Sequence, residues 1–137
     1  MKKIVILGAA ALAAYGYVSV NGQAAALGTR AGAAITTAAH GGTLSCSGLE
    51  RLWESAGGSP RSAFLAAEIA MAESGGRQFA HSPTNDFGYW QINGGHGPRM
   101  ATYDPLGNAR AAIAISSNGH NWFPWTTYTS GAYRGRC

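Results

Sequence analysis

The sequence predicts an α+β domain, mainly helical, with one small β-hairpin and an apolar N-terminal signal or anchor helix before it. Three observations carry that expectation. Apolar residues recur at helical spacing in segments framed by caps, prolines and glycines, notably around Leu49, Leu52 and Trp53, around Leu65, Ile69 and Ala72, and around Ala109 and Ile113. A single short aromatic run, Phe87 to Ile92, reads as β. Lys2-Lys3 precedes an almost uncharged run from Ile4 to Val20, followed by Ala24-Ala25-Ala26 as a small-residue cleavage site. The organisation expected is a signal peptide or signal anchor at 1–26, an Ala/Gly/Thr-rich linker at 27–45 and a folded domain at 46–137. The cleaved signal is preferred, because the apolar run is short for a spanning helix. The alternative is a membrane contact through residues 4–20.

The chain has 137 residues, room for one domain, and only 12% of them are charged. A net charge of +4 and a pI near 9.4 suggest an anionic partner. Nucleic acid is one such class, but the basic residues are scattered and form no run beyond Lys2-Lys3. The anionic polymers of a bacterial cell wall fit the charge equally well, and no nucleic-acid partner is expected.

In order along the folded part, Ser47 is expected to cap a first helix, with Glu50 completing a capping box. Gly57-Gly58 stop it. Ser59-Pro60 open a second helix, with proline at its first position. His81 to Thr84 form a loop and Phe87 to Ile92 a strand, one arm of the hairpin. Gly94 to Pro98 make an irregular turn, and Arg99 to Tyr103 a short helix. Asp104-Pro105 cap and start another helix, with Ala109, Ala112 and Ile113 buried and Gly119 at its end. The segment from Trp122 to Tyr128 is too aromatic for an ordinary surface loop.

The second helix ends at Glu73, before Gly75-Gly76. Glu73 lies about 40° round the helix from Ile69, at the edge of the apolar stripe. In the last turn the helix dipole disfavours an anion, and burial at the stripe edge acts in the same direction. Both raise the pKa of a carboxyl, as a general acid at neutral pH requires. Most glutamates near helix ends are simply solvated; the neighbouring residues are what single this one out.

The run Glu73-Ser74-Gly75-Gly76, followed by Gly88-Tyr89-Trp90-Gln91-Ile92-Asn93, resembles the lysozyme-like superfamily, in its soluble lytic transglycosylase and goose-type lysozyme branch. The Glu-Ser-Gly-Gly run is also similar to that of the resuscitation-promoting factors of actinobacteria. The likeness extends from about Cys46 to Tyr133 and is diffuse outside those two segments. It implies a compact lysozyme-like fold. It also implies cleavage of the β-1,4 bond between N-acetylmuramic acid and N-acetylglucosamine in peptidoglycan glycan strands. Finally, it implies that the late tryptophan-rich segment packs on the catalytic helix.

Glycoside cleavage needs a proton on the leaving oxygen and stabilisation of an oxocarbenium-like state. Glu73 is the candidate acid. Asp86 is the candidate second carboxylate, either positioning water or steadying positive charge; it could equally be a turn aspartate bonded to its own backbone. If no second carboxylate takes part, a lytic transglycosylase route remains, in which one glutamate acts as acid and then base. Glu68 reads as structural and Asp104 as a cap. Ser74, Tyr89, Gln91 and Asn93 are candidate sugar contacts, with strand alternation placing the last three on one side and Trp90 and Ile92 on the other. Tyr89, Trp90, Trp122 and Trp125 are candidate stacking surfaces for sugar rings, with core packing as the alternative for each tryptophan.

Cys46 and Cys137 are the only cysteines and bracket the domain. With an export signal, pairing is expected, and closing so long a loop is worth roughly 4–5 kcal/mol in the chain-entropy model. No pair among His40, His81, His96 and His120 has zinc-ligand spacing, and there is no nucleotide-binding glycine motif. No metal and no cofactor are expected. The leading expectation is therefore an exported peptidoglycan glycosidase. The alternatives are a non-catalytic wall-binding module and a virion or envelope component that opens the wall locally during phage entry.

Overall fold

A computed structural model describes residues 42–137. The signal or anchor and most of the linker lie outside the described residues. The chain runs α1 (Cys46–Ser55), α2 (Pro60–Ser74), β1 (Asp86–Phe87), β2 (Ile92–Asn93), a 3₁₀ turn (Gly94–His96), α3 (Pro105–Ile115) and α4 (Thr126–Thr129). The strands pair antiparallel, Asp86 opposite Asn93 and Phe87 opposite Ile92. Among the described residues the architecture is helical with one two-stranded sheet, consistent with the α+β expectation.

Contacts of the domain begin before Cys46. Thr43 bridges Arg77, and the Leu44 N–H donates to the Gly76 carbonyl at 2.8 Å. Gly76 has φ 72°, and a Cβ there would lie 2.2 Å from the Leu44 carbonyl oxygen, so both the turn and the approach require glycine. Ser45, not Ser47, caps α1: its backbone is extended and its Oγ accepts from the Gly48 N–H at 3.3 Å. Ser47 is already inside the first helical turn, where a cap cannot form, so the Ser47–Glu50 capping box is absent.

Helix α2 starts at Pro60 as expected and closes on Gly75, left-handed at φ 62°. Its buried face differs from the expected one. Ala63, Ala66, Ala67 and Ala70 are buried beside Ile69, whereas Leu65 and Ala72 are only half-buried. Small side chains let the large rings of the core approach the helix backbone, and the Trp90 indole N–H reaches the Ala66 carbonyl at 2.9 Å. Trp53, Trp90, Trp122 and Trp125 form the centre of the core. Trp53 lies 6.0 Å from Trp90 and 5.6 Å from Trp122, and Trp122 lies 4.8 Å from Trp125, between ring centroids.

Phe87 to Ile92 is not one strand. It supplies a residue of each arm and the whole turn between them, with Gly88 at φ 76° and Gln91 at φ 46°. The Gln91 side-chain amide stabilises this conformation by donating to the carbonyls of Gly88 (2.8 Å) and Ala80 (3.0 Å). Asn108, fully buried on α3, ties the hairpin down. Its amide donates to the Phe87 carbonyl at 2.8 Å, and its oxygen accepts from the Trp90 N–H at 3.0 Å. Residues 99–103 form no helix. The Met100 and Ala101 N–H groups both turn onto the Gly97 carbonyl, and so short a segment does not nucleate a helix. Asp104 caps α3 as expected, accepting from the Gly107 N–H at 2.6 Å. That helix ends at Ile115 rather than near Gly119, because Ser117 and Asn118 are left-handed, at φ 51° and 58°.

The last segment wraps back over α2 as a strap. Cys46 and Cys137 form a disulfide with a Cα–Cα distance of 5.6 Å. Glu68 is only 8% exposed, and its Oε1 accepts from the Gly135 N–H at 2.9 Å. Its structural role is to hold the strap's end on α2.

Candidate active site

A cleft of about 160 Å³ opens where the end of α2, the hairpin, the end of α3 and the strap meet; Glu73, Asp86, Gln91, Asn93, His96 and Trp125 are among its lining residues. Glu73 reaches it from the last turn of α2, one residue before the helix terminus. Burial pushes its carboxyl above the ordinary glutamate range. The Thr127 Oγ1 hydroxyl opposes this by donating to Glu73 Oε1 at 2.6 Å, and the nearby Asp86 charge adds to the rise.

Asp86 enters from β1 across the cleft. Partial burial pushes its carboxyl up, but donors outweigh that and hold it below the ordinary aspartate range. The Ser82 and Thr84 hydroxyls both donate to Oδ2, and the Asn93 amide donates to Oδ1 at 2.7 Å. The nearby His81 lowers it further. The donors to Asp86 are side chains of its own loop and of the facing strand rather than its own backbone, and its carboxylate lines the cleft.

Of the other expected sugar contacts, Gln91, Asn93 and Trp125 line the cleft. Four do not lie on its surface. Ser74 is buried, donating to the Ala70 carbonyl at 2.9 Å and accepting from the Gly76 N–H at 3.2 Å. Tyr89 and Trp90 are both 0% exposed, because the turn, unlike a strand, sends adjacent side chains inward together. Burial also pushes the Tyr89 hydroxyl up to about 12. Trp122 is 2% exposed between two other indoles and offers no free ring face.

Sequence reasoning missed His96, Ile115, Pro124 and Thr126 as lining residues, and Thr127 as the partner of Glu73. His96 carried a signal, an isolated histidine in a glycine-rich turn. Thr127 carried none, since it lies 54 residues from its partner. Among the described residues no group of three or more His, Cys, Asp or Glu side chains could hold a metal ion.

A shared cleft thus holds one carboxyl raised above its ordinary range and one held below it. The family description "Lysozyme like domain" matches residues 50–127, more than half of the chain, and the protein belongs to that lysozyme-like family. No curated protein and no solved structure matches the chain.

Proposed function

We propose that this protein is a peptidoglycan glycosidase that cuts the β-1,4 bond between N-acetylmuramic acid and N-acetylglucosamine, with Glu73 as the general acid. The observation that carries this reading is the opposed titration of Glu73 and Asp86 across one cleft. Protonated Glu73 delivers its proton to the leaving glycosidic oxygen as the bond to the anomeric carbon breaks. Ionised Asp86 stabilises the positive charge that develops on the sugar ring. Gln91 and Asn93 offer amides to the sugar, and Trp125 forms part of the cleft wall. Membership of the lysozyme-like family supports the substrate class.

The second half of the reaction has two readings. Asp86 on the cleft favours attack by water, which it can orient. The three donors that already occupy Asp86 favour the other, in which the muramic acid hydroxyl attacks and leaves a 1,6-anhydro end. Mass spectrometry of fragments released from purified peptidoglycan separates them. Reducing ends carrying added water assign a lysozyme, and anhydro ends assign a transglycosylase. No released fragments at all would leave only a wall-binding module.

We further propose that the protein acts outside the cytoplasm. The Cys46–Cys137 disulfide suits an oxidising compartment, and Lys2-Lys3 with the following apolar run supplies the export signal. N-terminal sequencing of the mature chain tests this. A start between Gln23 and Leu27 supports a cleaved signal, and a start at Met1 in the membrane fraction supports an anchor.

A further inference from the structure

We propose that Thr127 is a positioning residue for the acid: its hydroxyl dictates which oxygen of Glu73 carries the transferable proton and stabilises the carboxylate left behind. This rests on the reading of Glu73 as general acid.

The geometry begins with the strap. Thr127 is the second residue of α4, a single helical turn. So short a helix does not hold its own position, yet this one is fixed from three sides. The Trp125 indole N–H, at its N-cap, donates to the Trp90 carbonyl at 2.8 Å. The Tyr133 N–H folds back onto the Thr127 carbonyl at 3.2 Å. Beyond it, the Gly135 N–H lands on Glu68, a residue of the same helix that carries Glu73. The strap is therefore tied to the hairpin turn just before Thr127 and to α2 after it, and the 2.6 Å bond from Thr127 Oγ1 to Glu73 Oε1 is not a chance contact of a loose chain.

A threonine hydroxyl has one proton to donate. With that proton directed at Oε1, Oε1 is the accepting oxygen of the protonated acid, and the acid's own proton sits on Oε2. In the reaction the proton passes from Oε2 to the glycosidic oxygen, the glycosidic bond breaks, and Glu73 becomes a carboxylate. The bond from Thr127 then changes from a neutral hydrogen bond to a charge-assisted one, which is the stronger kind. An interaction that strengthens only as the transition state forms lowers the barrier without tightening substrate binding. Its loss should fall on kcat rather than KM.

The hydroxyl also favours the ionised form of Glu73, so its removal shifts the loss of the acid proton to higher pH. The other titratable groups lining the cleft are Asp86 on the hairpin and His96 on the 3₁₀ turn, and both are left intact by changes at Thr127.

The test compares Thr127→Val, Thr127→Ala and Thr127→Ser with Glu73→Gln in the full chain, on solubilised peptidoglycan. Melting curves confirm that each variant is folded. Thr127→Val and Thr127→Ala should lose roughly tenfold in kcat, the scale of one hydrogen bond to a charged group, with KM within about twofold. The high-pH limb of their rate profiles should move upward. Thr127→Ser should restore both kcat and the limb. The proposal is overturned if Thr127→Val keeps kcat and the limb while Glu73→Gln is inactive, or if serine performs no better than valine. A nearly fully active Glu73→Gln would overturn the acid assignment itself, and this role with it.

Discussion

The end of α2 and the hairpin each deliver one carboxylate to the same cleft, and they treat it in opposite ways. The helix end gives Glu73 burial and a single donor, Thr127, borrowed from a distant segment. The hairpin gives Asp86 more solvent and three donors from its own neighbourhood, Ser82, Thr84 and Asn93. The difference follows from the two scaffolds. The C-terminal end of a helix presents carbonyl oxygens, which accept and cannot donate, so a carboxylate there finds little local support. A loop of Ser, Pro, Thr and Asn running into a strand presents hydroxyls and amides. A proton is kept where donors are scarce and lost where they are plentiful.

Removing the acid is the most severe way to break this contrast. Glu73→Gln keeps the size of the side chain but has no proton to deliver, and wall cleavage is expected to fall by about 10²–10⁴-fold. Stability should not fall with it. A carboxyl whose folded pKa is raised costs stability as pH climbs from its unfolded value through its folded value, and glutamine escapes that cost. The melting temperature at neutral pH should therefore hold or rise; a large drop would show that Glu73 supports the fold.

The strap that supplies Thr127 is closed by the disulfide, which spans 91 residues. Replacing Cys46 and Cys137 by serine should cost roughly 4–5 kcal/mol of stability on the chain-entropy account, read by denaturant unfolding. Wild-type stability in that double variant would mean that Glu68 and the tryptophans alone hold the strap.

Asp86→Asn is expected to cost about tenfold in rate, less than loss of the acid, since it removes electrostatic support and no proton. It also removes the charge that raises Glu73, so the high-pH limb of the rate profile should move to lower pH. An unmoved limb would mean that the two groups do not sense each other.

Ser82→Ala tests the hairpin side most gently. Asp86, with one donor fewer, should bind its proton more readily, and the low-pH limb should move upward with a loss of only a few-fold in rate near neutrality. The stability contributed by Asp86 is present above its unfolded pKa and lost as pH falls through its lowered folded value; in Ser82→Ala that contribution should be smaller and its loss complete at a higher pH.

Features set by neighbours in sequence were readable from sequence. Pro60 and Gly75 mark the ends of α2, Asp104-Pro105 opens α3, and Glu73 falls at a helix terminus because two glycines follow it. The hairpin was misread because its turn depends on partners far along the chain. A Cβ at Gly88 would lie 2.6 Å from the Asn108 amide nitrogen, and nothing within Phe87 to Ile92 announces that contact. With the turn unseen, strand alternation placed Tyr89 at the surface, and it lies in the core. The buried face of α2 was obscured for a related reason. Alanines give a weak apolar signal, and they are buried here because tryptophans from three other segments need the space. Glu73 and Asp86 were identified as candidates individually; the donors that separate their titrations were legible only in three dimensions.

The central claim is that separation, and carbon-13 NMR of the side-chain carboxyls reads it directly in the resting protein. With Glu73→Gln and Asp86→Asn used to assign the two signals, Glu73 should titrate above the ordinary glutamate range and Asp86 below the ordinary aspartate range. Glu73 titrating at or below the ordinary range would contradict the account, because burial would then not be holding the proton on the group assigned as the acid.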